Sequence, residues 1–351
     1  LASSLAARFD APLLFTDELS PDDLEAVQSN LGILESLLIN LSGTPVEPPS
    51  GKVEAFNDWE SIRTWLNART EAITYIALTN VADRNSGRAQ KMSLVAPMFT
   101  ARRDGIVLPA DFAMPMNVMT DESETPILDF WHANYAALTD TPETIALVGA
   151  YDAIAQMRRP SIFDNPIAEH PVSDLPYAEI DDDPFVDLAI GRIVSDTATE
   201  ASVLASRTVN YEKLMDGTWE NTFVESGLWG FDELRDIMLN AGFDAPTHPS
   251  ESELRAMTFI EASAILHKDH SNCTILGNAF DTTSPSLSAP AVVLSRGCSV
   301  GGMDLVGTEQ RTMVDHMLGK GAVAFIGATR NSIAENTLTE VSLWNHLLDG
   351  H

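Results

Sequence analysis

The chain has 351 residues, with 51 acidic against 21 basic side chains and a formal net charge of −30 at pH 7. A field of that sign argues against nucleic-acid or anionic-membrane binding, since both need positive charge. No apolar run reaches the ~20 residues of a membrane-spanning helix, and two cysteines cannot staple a scaffold.

Residues 1–42 read as helix, strand, helix, strand: LASSLAAR, APLLFTD, SPDDLEAVQSNLG and ILESLLINLS. The Pro- and Gly-bearing stretch 43–57 reads as a loop, 58–69 as a helix with Trp59, Ile62, Trp65 and Leu66 on one face, and 72–80 as a buried strand. Then come a helix over 89–105 ended by Gly105, a strand at 106–111, a helix at 125–138 and a strand at 144–153. A proline-rich, aperiodic segment at 150–175 suggests a boundary, dividing the chain into an N-terminal α/β subdomain (1–150) and a second subdomain (151–351). The second half repeats the alternation: strand 185–193, helix 197–215, strand 221–227, helix 231–242, two apolar strands, helix 306–321, strand 322–330 and a closing helix. Strands separated by helices of this length predict right-handed crossovers and mainly parallel sheets.

The two apolar strands carry the chemistry. AILHKDHSN (264–272) stops at His270 and AVVLSRGCSVGG (291–302) stops at Cys298, 28 residues later. In a parallel sheet, loops at the carboxyl ends of neighbouring strands converge on one crevice. A cysteine thiolate attacks a carbonyl carbon, a histidine manages its proton, and backbone N–H groups receive the developing oxyanion. Gly297, Gly301 and Gly302 ease a turn around Cys298, whose own N–H and that of Ser271 are the oxyanion candidates. Taken singly, Cys298 also reads as a small buried residue at a strand end. His267 competes with His270 for the role of base, although within a strand the two would face opposite ways. Cys273 reads as a passenger. His267, His270 and Cys273 form an H-x-x-H-x-x-C, but no fourth zinc ligand is apparent.

The second half resembles the gingipain-type cysteine peptidases. Those proteins carry a histidine in a Gly-His-Gly turn and a cysteine in a Ser/Ala-Cys-x-x-Gly turn at consecutive strand ends; this chain has Asp269-His270-Ser271 and Gly297-Cys298-Ser299-Val300-Gly301. YAEIDDDPFVDLAIGRIVSDTATEASVLASRTVNYE (177–212) and GKGAVAFIGATRNS (319–332) are similar to further segments of the family. The resemblance spans about 144–351. It implies a three-layer αβα, caspase-like fold and a secreted or cell-surface cysteine endopeptidase with Cys298 as nucleophile and His270 as its acid and base. It also implies peptide or protein substrates with no cofactor in catalysis and, together with the acidic field, a preference for a basic residue before the scissile bond. The N-terminal LASSLAARFDAP begins in mid-pattern, as a domain cut from a longer precursor would, which suggests a propeptide or flanking domains. The glycines that flank the family's histidine are here Asp269 and Ser271, and its LVGD-like strand end reads Leu147-Val148-Gly149-Ala150. These departures, with an N-terminus similar to cell-wall-binding repeats, support an alternative: a non-catalytic surface or adhesion module that keeps the fold.

The charge itself has three readings: a salt-adapted surface, calcium ligands, or a cleft that draws basic substrates. Its spread along the chain favours the first. Asp174, Asp181, Asp183 and Asp187 crowd one loop and are the candidate ligands of a structural calcium ion, as the resemblance implies; without an EF-hand spacing they equally form a solvated acidic loop. Arg192 reads as a structural arginine paired with Asp187.

Overall fold

A computed structural model describes residues 21–31, 35–39, 52–68, 73–85, 91–113, 126–138, 142–159, 171–181, 183, 185–214, 219–227, 231–284, 287–305 and 310–330. The helix and strand expected over 1–17 and the closing helix after 330 lie outside these residues. After helix Pro21–Leu31, β1 (Glu35–Ile39) pairs in parallel with β2 (Lys52–Phe56). β2 corrects the end of the loop expected at 43–57: the prolines and glycines all precede Lys52, and KVEAF holds no turn former and pairs with β1. Helix Trp59–Asn67 returns onto it, with the Trp65 ring edge-on to Phe56 at 5.6 Å.

The first sheet is built from β3 (Tyr75–Asn80), β4 (Ile106–Ala110) and β5 (Thr144–Val148), followed by a small hairpin of β6 (Met157–Arg158) and β7 (Val172–Ser173) and then by the edge strand β8 (Ala189–Ile193). Its order is β4-β3-β5-β8, all parallel. Every residue of β3 is buried, as expected of a strand covered on both faces. Alternation then sorts the side chains. Ile76, Leu78, Ile106, Leu108, Ile145 and Leu147 meet Ile127 and Trp131 of helix Pro126–Tyr135, while Ala77, Val107, Ala146 and Val148 face the other way. Each fully buried aliphatic side chain stabilises the fold by about 1.5–3 kcal/mol. β8 lies beyond residue 150 in the sequence yet completes this sheet, so the two sheets part after residue 193. The helix expected over 89–105 is broken into a 3-10 turn, Met92–Val95, and a short helix, Ala96–Thr100. Pro97 stands in the first turn of the latter, and without an N–H it cannot extend the ladder from the preceding turn.

The second sheet comprises β9 (Phe223–Gly227), β11 (Ala264–Lys268), β16 (Val292–Ser295) and β17 (Ala324–Gly327), in the order β17-β16-β11-β9 and again all parallel. Short strands fill its connections: β10 (Phe259–Ile260) with β15 (Leu287–Ser288), and the meander β12 (Ser271–Asn272), β13 (Ile275–Leu276), β14 (Phe280–Asp281). One face, with Phe223, Ala264, Leu266 and Leu294, packs on Leu234 and Met238 of helix Asp232–Asn240. The other, with Val224, Ile265 and Val293, joins Met313 and Met317 of helix Met313–Gly319.

That second face shares one continuous core with the first sheet. Helix Ala198–Val209 contributes Ala201, Leu204 and Ala205 to it, a spacing that puts all three on one side. Polar ties cross the same seam: Arg311 reaches Asp196 at 2.9 Å and Glu200 at 3.0 Å, and Arg207 donates to the Leu318 carbonyl at 2.6 Å. The architecture is the mixed α/β, mainly parallel arrangement expected from the alternation of elements.

Candidate active site

β11 and β16 are hydrogen-bonded neighbours, and their register sets the site. Ala264 lies opposite Val292, Ile265 opposite Val293, Leu266 opposite Leu294 and His267 opposite Ser295, a constant offset of 28 residues. His270 and Cys298 keep the same offset, each three residues past the last paired position, so both chains leave the sheet in step. Arg296 N–H still donates to the His267 carbonyl at 2.9 Å, carrying the ladder to the foot of the cysteine turn.

Beyond that point the two turns touch. A Cβ on Gly297 would fall 2.3 Å from both Cβ and Oγ of Ser271, so only glycine allows the residue before Cys298 to lie against the residue after His270. Ser299 adopts φ of 56°, a left-handed conformation uncommon outside glycine, and its N–H donates to the Arg330 carbonyl at 2.8 Å. Gly301 N–H donates to Ala328 at 2.8 Å, and a Cβ there would stand 2.5 Å from the Gly327 carbonyl oxygen. A buried ion pair, Arg330 with Asp304 at 2.6 Å, locks the same loop to the end of β17. Cys298 therefore sits, partly exposed, on a turn fixed from two sides.

His270 is exposed at the crest of its own turn. Asp269 beneath it is buried and accepts from the His270 backbone N–H at 2.6 Å. Ser271 Oγ donates to the Asp269 carbonyl at 3.2 Å and accepts from Gly277 N–H at 3.1 Å. The two residues that replace the glycines of the resembled motif thus brace the histidine turn internally. The amides of Gly297, Ser299 and Gly301 are engaged by Ser295 Oγ, Arg330 O and Ala328 O.

His267 belongs to a different layer. It is 1% exposed at the end of β11, with Nδ1 3.0 Å from Ser295 Oγ, and burial pushes its pKa down from 6.5 to about 4. The expectation that residues 267 and 270 point oppositely assumed a continuous strand; β11 ends at Lys268, and it is the turn that carries His270 outward. Cys273 is half-buried, burial pushes its thiol pKa up, and its carbonyl accepts from Met313 N–H at 2.7 Å. Its backbone thus docks the meander on helix Met313–Gly319.

The acidic loop is otherwise arranged than a shared ligand set. Asp174 is taken by Arg192 in a bidentate pair at 2.6 and 2.9 Å, and Arg192 also donates to the Gly149 carbonyl at 2.9 Å. This corrects Asp187 as the partner of Arg192. Asp187 Oδ2 instead accepts from Ile180 N–H at 2.6 Å, closing its own loop. Asp181 and Asp183 accept from the backbone two residues on, at 2.9 and 2.8 Å. Among the described residues no three His, Cys, Asp or Glu side chains converge as a metal site.

The model of peptidase family C25 matches residues 119–351, a span that includes both turns. The chain belongs to peptidase family C25. This family, the gingipains, consists of cysteine peptidases. A solved structure described as "Structure of Protease" matches with a TM-score of 0.54 at 16% sequence identity, over 75% of this chain. That likeness bears on the fold, and the C25 chain spans only 60% of the matched protein's length. No curated protein matches it in sequence.

The site's foundations were only partly readable beforehand. Sequence reasoning found the strand ends but missed Ser295 and the Gly297–Ser271 contact. The signal was present in the spacing, because Ser295 follows His267 by the same 28 residues that separate Cys298 from His270.

Proposed function

We propose that this chain is a cysteine endopeptidase in which Cys298 is the nucleophile and His270 the general acid and base. The reading is carried by the in-step exit of β11 and β16, together with the glycine-only contact of Gly297 on Ser271. Cys298 Sγ, as thiolate, attacks the peptide carbonyl carbon, and the C=O electron pair moves onto oxygen, toward the backbone N–H groups of Cys298 and Ser271. The tetrahedral species collapses with cleavage of the C–N bond, and His270, holding the proton taken from the thiol, passes it to the leaving amine. Water deprotonated by His270 then adds to the thioester, and loss of the thiolate releases the carboxylate product. The net charge of −30 favours approach of basic peptides and supports a preference for Arg or Lys before the scissile bond.

Cys298→Ala and His270→Ala each lower peptide cleavage by on the order of 10³-fold or more, and Cys298→Ala abolishes labelling by an acyloxymethyl-ketone probe. Wild-type cleavage by Cys298→Ala would end the proposal. A panel of fluorogenic peptides checks the specificity, and preference for apolar or acidic residues would remove the basic-substrate reading alone.

A further inference from the structure

We propose that His267 and Ser295 are a positioning pair, a buried hydrogen-bond relay that fixes the orientation of the Gly297 amide and so aims the Cys298 turn. This rests on the reading of Cys298 as nucleophile.

The last inward-facing positions of three adjacent strands are polar: Ser226 of β9, His267 of β11 and Ser295 of β16 lie side by side in register, exposed by 6%, 1% and 3%. Positions this deep normally hold apolar side chains, as Val224, Ile265 and Val293 do two residues earlier on the same face. Burying a polar group is costly unless it is bonded, so the row needs a reason. Ser295 Oγ lies 3.0 Å from His267 Nδ1 and 3.2 Å from Gly297 N. The amide can only donate, so Ser295 Oγ accepts from it and, with His267 in the Nε2–H tautomer, donates its own O–H to Nδ1. His267 then carries its remaining hydrogen on Nε2. That atom makes no hydrogen bond among the described residues, and it faces the gap beside Gly277. From the place where a Gly277 Cβ would stand, His267 Nε2 is 3.2 Å away, Asp269 Oδ2 3.3 Å and Glu251 Oε1 2.4 Å. Two carboxylate oxygens are fitting company for an N–H, and they favour the tautomer that leaves Nδ1 as acceptor.

The relay therefore runs Gly297 N–H to Ser295 O–H to His267 Nδ1 and ends one residue before the nucleophile. Gly297 has no side chain to settle its peptide orientation and no room for one. The relay supplies that orientation from beneath, while Ser299 and Gly301 are held from the β17 side.

The test uses the full chain, cleavage of labelled casein, the iodoacetamide alkylation rates of Cys298 and Cys273, and a thermal melt of each variant. Ser295→Ala and His267→Phe lower kcat about 10- to 100-fold with little change in KM, because a nucleophile displaced by about an ångström loses that order of rate. Both also lower the ratio of Cys298 to Cys273 alkylation. His267→Asn, whose amide oxygen can stand near the place of Nδ1, stays within about threefold of wild type. Unchanged kcat in a folded Ser295→Ala variant overturns the proposal. So does His267→Asn falling as far as His267→Phe, which would show a packing role. If Cys298→Ala cleaves casein like wild type and Cys298 alkylates no faster than Cys273, the peptidase reading has failed and the relay positions nothing. That pattern is distinct from an active enzyme indifferent to Ser295.

Discussion

Replacing Gly297 with alanine puts one methyl group between the two turns of the site. Its carbon would stand 2.3 Å from Ser271 Cβ and Oγ and 3.0 Å from Val300 Cγ1, where ordinary contact begins at 3.4 Å. Gly297 is not among the residues of positive φ, so alanine suits the backbone and the whole effect is steric. The turns must separate by roughly 1 Å, a displacement that costs about 10²-fold in rate, or about 2.7 kcal/mol of barrier. The overpacking costs a further ~1–3 kcal/mol of stability. Steady-state cleavage and thermal melting of Gly297→Ala measure the two effects separately, and Gly297→Ala/Ser271→Gly, which removes the obstructing side chain, should regain most of the lost rate. A folded Gly297→Ala enzyme with wild-type kcat would refute the idea that contact between the turns sets the catalytic geometry.

Arg192→Ala leaves the Asp174 carboxylate without its bidentate partner in a largely buried setting. Urea denaturation should show a loss of about 3–5 kcal/mol, and a loss below about 1 kcal/mol would show that water has relieved the pair. Burial also lowers the pKa of His316 from 6.5 to about 4, as it does for His267. Both groups bind protons more readily once unfolded. The stability that follows from keeping them neutral is present above pH 6.5 and is lost as pH falls toward 4, about 3 kcal/mol for each. His316→Gln should flatten that part of the stability–pH curve, and an unchanged slope would contradict the assignment. With a net charge of −30, raising NaCl to about 1 M should raise the melting temperature by screening self-repulsion; a fall would show that attractive ion pairs dominate.

Much of this architecture can be read from the chain because buried parallel strands announce themselves as apolar runs. TIALV, AILHK and VVLS all stand where such runs predict them. That Cys298 and His270 both stand just past the carboxyl ends of neighbouring strands follows from topology alone. What escaped were features fixed by contacts distant in sequence. Asp174 rather than Asp187 pairs with Arg192 because β8 lays its arginine beside the segment after β7, which no local spacing reveals. β2 follows directly on a run of prolines and glycines that hides its five strand residues, and its pairing with β1 is what reveals them. Ser295 looked like any strand-end serine until the register set it against His267.

The common offset of β11 and β16 has a consequence for how such a chain can change. What sets the places of Cys298 and His270 past the sheet is the count from each strand's last paired residue, and the length of the intervening excursion does not enter. Extra residues accepted between β14 and β15 would leave both reactive groups at the same height above the sheet. One residue inserted between Ser295 and Cys298 would lengthen one turn against the other and take Gly297 off its contact with Ser271. The long connection can thus drift in length and composition, while the three-residue stalks on which His270 and Cys298 stand admit no insertion.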